Sequence, residues 1–126
     1  MAMDNQQNGS GGVSGEFYFE EGCYITELAN SSDDPELSVA RARVLPGVTT
    51  RWHRLRGTTE RYVMLEGSGR VEIGEEPARE VGPGEVVRIP PMCRQRITNT
   101  GKGDLVFLAI CTPRFRRENY EDVEKG

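Results

Sequence analysis

Residues 47–67, GVTTRWHRLRGTTERYVMLEG, decide the fold class of this 126-residue chain. A glycine begins and ends the segment, and it contains His53, the single histidine of the protein. The spacing runs from Gly47 over five residues to His53, over one residue to Leu55, over four residues to Glu60, and over six residues to Gly67. Runs rich in Thr, Val and Tyr on both sides of a Gly-Thr-Thr connection predict two strands joined by a turn.

Similar strand signals continue along the chain. Short apolar runs alternate with Gly, Pro, Asn and Asp roughly every eight to twelve residues, and no long segment has a helical apolar period. We expect strands at residues 17–20, 24–28, 37–45, 49–55, 60–65, 70–73, 80–81, 86–89, 95–98 and 105–111. A turn at residues 67–69 predicts that strand 70–73 forms a hairpin with residues 62–65. About ten strands indicate an all-β double-sheet jelly roll.

A second spaced motif follows the first. It places Gly84, Pro90, Met92, Gln95 and Asn99 at intervals of five, one, two and three residues. Together the two segments resemble the two conserved motifs of the cupin family, and the likeness extends over about residues 37–113. In the family, a glycine stands at the position of Met92 and a metal-binding histidine at that of Gln95. The resemblance implies a double-stranded β-helix, the cupin jelly-roll barrel, with a short C-terminal helix or tail.

The resemblance also implies a metal site that has lost ligands. In the family, histidines and a glutamate hold a divalent metal, which assigns His53, Glu60 and Gln95 as the metal ligands here. Leu55 takes the position of a further histidine and has no donor atom. We therefore expect either one weakly held ion or none, and His, Glu and Gln donors suit Mn, Fe, Ni and Zn alike.

Strand alternation predicts which side chains share the interior. Tyr62 lies two residues after Glu60, and these two are the candidate catalytic residues, although simple packing is the alternative for the tyrosine. The predicted ligand pocket consists of Arg51, Leu55, Tyr62 and Met64. A guanidinium inside a barrel needs an acidic partner or an anionic ligand. The remaining arginines fit either the interior or an outer sheet surface with salt bridges.

Composition divides the chain into one domain with two polar ends. Residues 1–15 are predicted to be a disordered arm, residues 16–116 a single barrel domain, and residues 117–126 a tail, with a short helix at residues 116–123. A net charge of −4 argues against nucleic acid as a partner. No run approaches the roughly 20 apolar residues of a membrane span. We expect a cytoplasmic protein and, from the resemblance to small bacterial single-domain cupins, a homodimer.

Three possibilities for the function remain open at this point. The first is a metal-dependent enzyme acting on a small oxygenated or carboxylated metabolite, sugar-phosphate-isomerase-like by resemblance only. The alternative is a metal-free cupin that binds a small molecule, expected to be anionic, without catalysis. A structural or interaction protein with a vestigial pocket is a third possibility. Function has to be argued from the site, because one fold hosts many activities.

Overall fold

The computed structural model describes residues 13–124, which contain eleven β-strands and one short 3₁₀ turn. The strands are β1 (Phe17–Phe19), β2 (Cys23–Ala29), β3 (Ser38–Val44), β4 (His53–Leu55), β5 (Thr59–Glu66), β6 (Gly69–Ile73), β7 (Arg79–Val81), β8 (Val86–Ile89), β9 (Gln95–Asn99), β10 (Leu105–Thr112) and β11 (Tyr120–Asp122). The all-β prediction is confirmed. Most of the predicted arm at residues 1–15 lies outside the described residues.

The strands form two antiparallel sheets. One has the order β1-β2-β3-β10-β5-β8, and the other has the order β11-β4-β9-β6-β7. The predicted hairpin between residues 62–65 and 70–73 is wrong, because β5 and β6 belong to different sheets. Gly67, with φ near +85°, turns the chain from one sheet to the other. A Cβ atom there would lie 2.6 Å from the backbone oxygen of Asp104, so only glycine fits this crossing.

The core lies between the two sheets and follows the two-residue alternation of the strands. On β5, Glu60, Tyr62 and Met64 are buried and face inward. On β4, His53 and Leu55 are both buried, as their spacing predicts. The predicted strand at residues 49–55 is shorter in the structure, because regular pairing begins only at His53. The sheets therefore bring polar side chains of β4, β5 and β9 into the interior beside a largely apolar core.

The C-terminal segment, where a short helix or tail was expected, forms a short 3₁₀ turn followed by a strand. After the 3₁₀ turn at Arg117–Asn119, β11 pairs antiparallel with β4, beyond the predicted domain end at residue 116. Tyr120 on β11 is buried against Leu55 and Cys111. This strand covers the outer edge of β4, a position that would otherwise expose unpaired backbone groups. No helix within residues 13–124 is long and apolar enough to cross a membrane.

Tyr120 provides a test of how β11 is held. Its hydroxyl is the one buried side-chain oxygen or nitrogen without a hydrogen-bond partner among the described residues. Because an unpaired buried hydroxyl is costly, Tyr120→Phe should raise the free energy of unfolding by about 1 kcal/mol. Tyr120→Ala should lower it by about 3 kcal/mol, since the ring fills the core. Urea unfolding of both variants measures these changes, and a loss of stability in Tyr120→Phe would contradict the unpaired state.

Candidate functional site

An open cavity lies on the inner face of the six-stranded sheet. Its volume is about 630 Å³, a value that includes the space at its mouth. The walls come from β1, β2, β3, β5 and β10, together with the segments that flank them. Polar side chains that reach it include Glu21, Glu27, Glu60 and Tyr62. The cavity therefore brings candidate site residues together around one open space.

A chain of hydrogen bonds links the two sheets beside this cavity. The Tyr62 hydroxyl on β5 donates to Oε1 of Gln95 on β9. The Gln95 amide nitrogen then donates to Oε1 of Glu60, at 2.8 Å, back on β5. All three side chains are buried, and Gln95 is only 1% exposed. The oxygen of the Gln95 amide thus holds the Tyr62 hydroxyl, and its nitrogen holds the Glu60 carboxyl group.

Burial makes Glu60 an unusual carboxyl group. Its pKa is raised to about 7, because loss of solvation and the negative charge of Glu21 outweigh the lowering effects of His53 and of the Gln95 hydrogen bond. A carboxyl group that titrates near neutral pH can both accept and donate a proton under physiological conditions. Glu60 also lines the cavity, so this proton is within reach of a bound molecule.

His53 is held by a separate set of contacts. Its Nδ1 lies 2.8 Å from the backbone oxygen of Arg51, and its Nε2 lies 3.4 Å from Oε1 of Glu21. The ring also stacks on Tyr120, with 5.3 Å between centroids. Burial would lower the pKa of His53, but the negative charges of Glu21 and Glu60 outweigh it, so the pKa is raised. These two carboxylates therefore favour protonation of His53 relative to a histidine in water.

These contacts do not fit the predicted metal site of His53, Glu60 and Gln95. Each nitrogen of His53 already faces an acceptor oxygen, so a metal ion would have to displace one of these two contacts. The Gln95 amide oxygen accepts the Tyr62 proton instead of facing an open site. Within residues 13–124, no group of three or more His, Cys, Asp or Glu side chains is arranged to hold a metal ion.

The predicted pocket residues separate into two environments. Tyr62 lines the cavity, whereas Leu55 and Met64 are buried in the core and are not among its lining residues. The prediction that Arg51 faces the interior is wrong: its side chain is 49% exposed, and its Nε lies 2.6 Å from Asp122. Strand alternation does not apply at this position, because Arg51 precedes β4 and lies outside regular pairing.

The other arginines of the barrel also face outward. Most of them pair with acidic residues on the outer surface, as Arg43 does with Glu16 and Arg96 with Glu72. Of the two locations left open by the sequence, these arginines therefore occupy the outer sheet surface with its salt bridges. The expectation of an anionic ligand depended on a guanidinium inside the barrel, and the structure removes that basis.

Sequence reasoning did not identify two acidic residues at the N-terminal side of the cavity. Glu27 lies on β2 in the same alternating register as Cys23 and Ile25, and both Glu27 and Ile25 line the cavity. Glu21, in the turn before β2, lies beside His53. The sequence contained a signal for Glu27, because the residues that share its face of the predicted strand are apolar. Nothing in the sequence pattern indicates that the turn directs Glu21 inward.

A family model described as a cupin domain matches residues 40–111. The chain belongs to the cupin family. An uncharacterised protein of Methanocaldococcus jannaschii is 32% identical to this cupin over 107 residues, which make up 83% of this chain and 85% of that protein. The match to the family model covers both spaced motifs, residues 47–67 and 84–99, in full.

Solved structures share the fold of this cupin at low sequence identity. Streptomyces Pac13, described as a nucleoside dehydratase, has a TM-score of 0.75 and 18% identity, over 97% of this chain and 92% of that one. KdgF from Halomonas has a TM-score of 0.71 and 18% identity, over 82% of this chain and 89% of that one. At these identities the likeness shows the fold alone.

The raised pKa of Glu60 predicts a pH-dependent stability. Because its pKa of about 7 in the folded state exceeds the ordinary value of 4.5, the folded protein holds more protons between these values. Stability from this group is therefore present at low pH and lost as the pH rises through about 7. We expect the free energy of unfolding to fall by about 2–3 kcal/mol between pH 5 and pH 8.

The matched variant for this measurement is Glu60→Gln, which keeps the shape of the side chain and removes its titration. Urea unfolding of both proteins over this pH range should show a much weaker slope in the variant. Glu60 also raises the pKa of His53. The variant loses this effect too, and the effect likewise makes the wild type less stable as the pH rises. Equal slopes in the two proteins would contradict the raised pKa of Glu60.

Proposed function

We propose that this cupin binds a small molecule in its interior cavity without the help of a metal ion. The observation that carries the proposal is the Tyr62–Gln95–Glu60 hydrogen-bond chain at the position of the family's metal ligands. Buried polar groups need partners, and here the side chains partner one another. The proposal keeps the metal-free binding function that the sequence analysis gave as an alternative. It does not keep the expectation that the ligand is an anion.

The solved relatives support a small-molecule role for this barrel. Pac13 is described with uridine bound, so a chain of the same fold accepts an organic molecule of that size. In the present cupin, the cavity has a mixed lining, with aromatic and aliphatic walls and a few polar side chains. This combination is typical of small-molecule sites, where apolar walls supply affinity and polar groups fix orientation.

A second candidate function is acid–base catalysis, and the position of Glu60 favours it. A carboxyl group with a pKa of about 7 that lines a cavity is suited to transfer a proton to and from a substrate. Tyr62 contacts Glu60 through Gln95 and would hold the carboxyl group in position. Eliminations and isomerisations both include proton transfers of this kind. The predicted homodimer and cytoplasmic location stay predictions.

Metal analysis tests the main proposal. The untagged protein, incubated in turn with Mn, Fe, Ni and Zn and then desalted, should hold far less than one ion per chain by plasma mass spectrometry. A chelator should leave the melting temperature unchanged, because an ion that does not bind cannot stabilise the folded state.

The chain offers a matched positive control. The double variant Leu55→His/Gln95→His restores the imidazoles of the family motif and should gain one zinc or nickel ion per chain, since imidazole suits both metals. The proposal fails if the native protein binds close to one ion per chain and His53→Ala abolishes that binding.

Turnover of a mixed library of small metabolites, followed by mass spectrometry, tests the catalytic candidate. Wild-type protein should deplete at least one compound, and Glu60→Gln should slow that reaction by about 100-fold or more, as loss of a general acid–base group does. The rate should change with pH around the pKa of about 7. Equal rates in wild type and variant would remove Glu60 from catalysis.

A further inference from the structure

The walls of the cavity offer no opposite charge to an anion. No Lys or Arg side chain of residues 13–124 is among the residues that line it. The imidazole of His53 lies nearby, but its Nε2 faces Oε1 of Glu21 at 3.4 Å. An anionic ligand would therefore lose its hydration without gaining an ion pair, and this loss is costly in a buried site.

The carboxyl groups of the lining are matched by groups of the protein itself. Besides its imidazole contact, Glu21 accepts from the thiol of Cys23, whose Sγ lies 3.1 Å from Oε2. Glu60 accepts an amide hydrogen bond, and its pKa of about 7 makes it partly protonated near neutral pH. Glu27 also has an interaction partner in the protein. Each of these three carboxyl groups is thus already partnered, and a cationic ligand would have to compete for it.

The uncharged polar side chains of the lining are also engaged. The Asn30 amide nitrogen donates to the backbone oxygen of Phe115 at 3.0 Å, and its oxygen accepts from Arg114 at 2.8 Å. Ser38 Oγ accepts from the backbone nitrogen of Phe115 at 2.8 Å. The Tyr62 hydroxyl donates its proton within the hydrogen-bond chain described above. The polar part of the wall therefore needs no ligand to satisfy it.

The rest of the lining is apolar. It consists of the rings of Phe17, Phe19, Phe107 and Phe115 together with aliphatic side chains of β2, β3 and β10. The rings of Phe19 and Phe115 pack edge to face, with 6.3 Å between their centroids. Such rings bury much apolar area and favour a further ring placed against a face or an edge. Apolar cavities bind hydrocarbons readily, because water gains little from filling them.

We propose that the ligand of this cavity is a neutral, largely apolar molecule with an aromatic or branched hydrocarbon body, held by contact with the phenylalanine rings and not by an ion pair. This inference rests on the proposed function, since it names the ligand class for the same cavity. It replaces the anionic molecule expected from the sequence. Affinity comes from the removal of apolar surface from water, which is the main contribution in sites with mostly apolar walls.

Three probes that share a phenyl ring isolate the effect of charge. Toluene is neutral, benzylamine is a cation near neutral pH, and benzoate is an anion. Calorimetric titration of the full chain should show toluene binding at least about tenfold more tightly than either ion, equivalent to about 1.4 kcal/mol. The two ions bind more weakly because neither gains an unpartnered group of opposite charge.

A space-filling variant tests whether toluene binds in this cavity. Ala109 on β10 lies opposite Ala40 on β3, and both line the cavity. Ala109→Leu leaves every charge of the wall in place but occupies part of the space, so it should weaken toluene binding at least about tenfold. Ala78→Leu is the matched control, because Ala78 is exposed and is not a lining residue. This control should leave the affinity for toluene unchanged.

The outcomes separate this inference from the proposed function. Benzylamine or benzoate binding as tightly as toluene, or more tightly, overturns the neutral ligand but supports a cavity that binds small molecules. Unchanged toluene binding in a folded Ala109→Leu variant also overturns it, because the probe then binds elsewhere. If the variant does not fold, the comparison of the three probes in the wild type decides.

If none of the three probes binds to the wild type, the neutral-ligand inference fails. The metal content of the native protein then tests the metal-free site independently of any organic probe.

Discussion

The arrangement of the site depends on one constraint, which is that the Glu60 carboxyl group is buried and must be partnered. Gln95 meets this requirement with its amide nitrogen and uses its amide oxygen to accept from Tyr62. Because β5 and β9 belong to different sheets, these two bonds also fix how the sheets face each other at this point. A fully satisfied polar network of this kind holds its members in one arrangement, and here it borders an open cavity.

Charge is divided between the two surfaces of the barrel. Arg43 of β3 and Arg96 of β9 form salt bridges on the outer surface, whereas Glu27 of β2 and Glu60 of β5 line the cavity on the inner side. Exposed ion pairs contribute little to stability, whereas buried carboxyl groups have a large effect on pKa and on ligand choice. The chemistry of this cupin therefore lies in its acidic interior, and the basic residues that are prominent in the sequence serve the exterior.

Much of the fold could be predicted from the sequence, because glycine spacing and two-residue alternation are local properties. His53 and Leu55 share the interior face as expected, and the family follows from the motif around them. The error at Arg51 arose because alternation was extended to a position before the strand begins. The positions of Glu21 and β11 depend on contacts between residues far apart in the chain, which spacing within one segment does not encode.

The central claim is that Glu60 is a partly protonated carboxyl group in a metal-free network. Carbon-13 NMR of its side-chain carboxyl, assigned by comparison with Glu60→Gln, measures this directly. The account predicts a titration centred at about pH 7 that does not change when one equivalent of zinc is added. A carboxyl group that stays ionised down to its ordinary range near 4.5, or a resonance that shifts on addition of zinc, would contradict it.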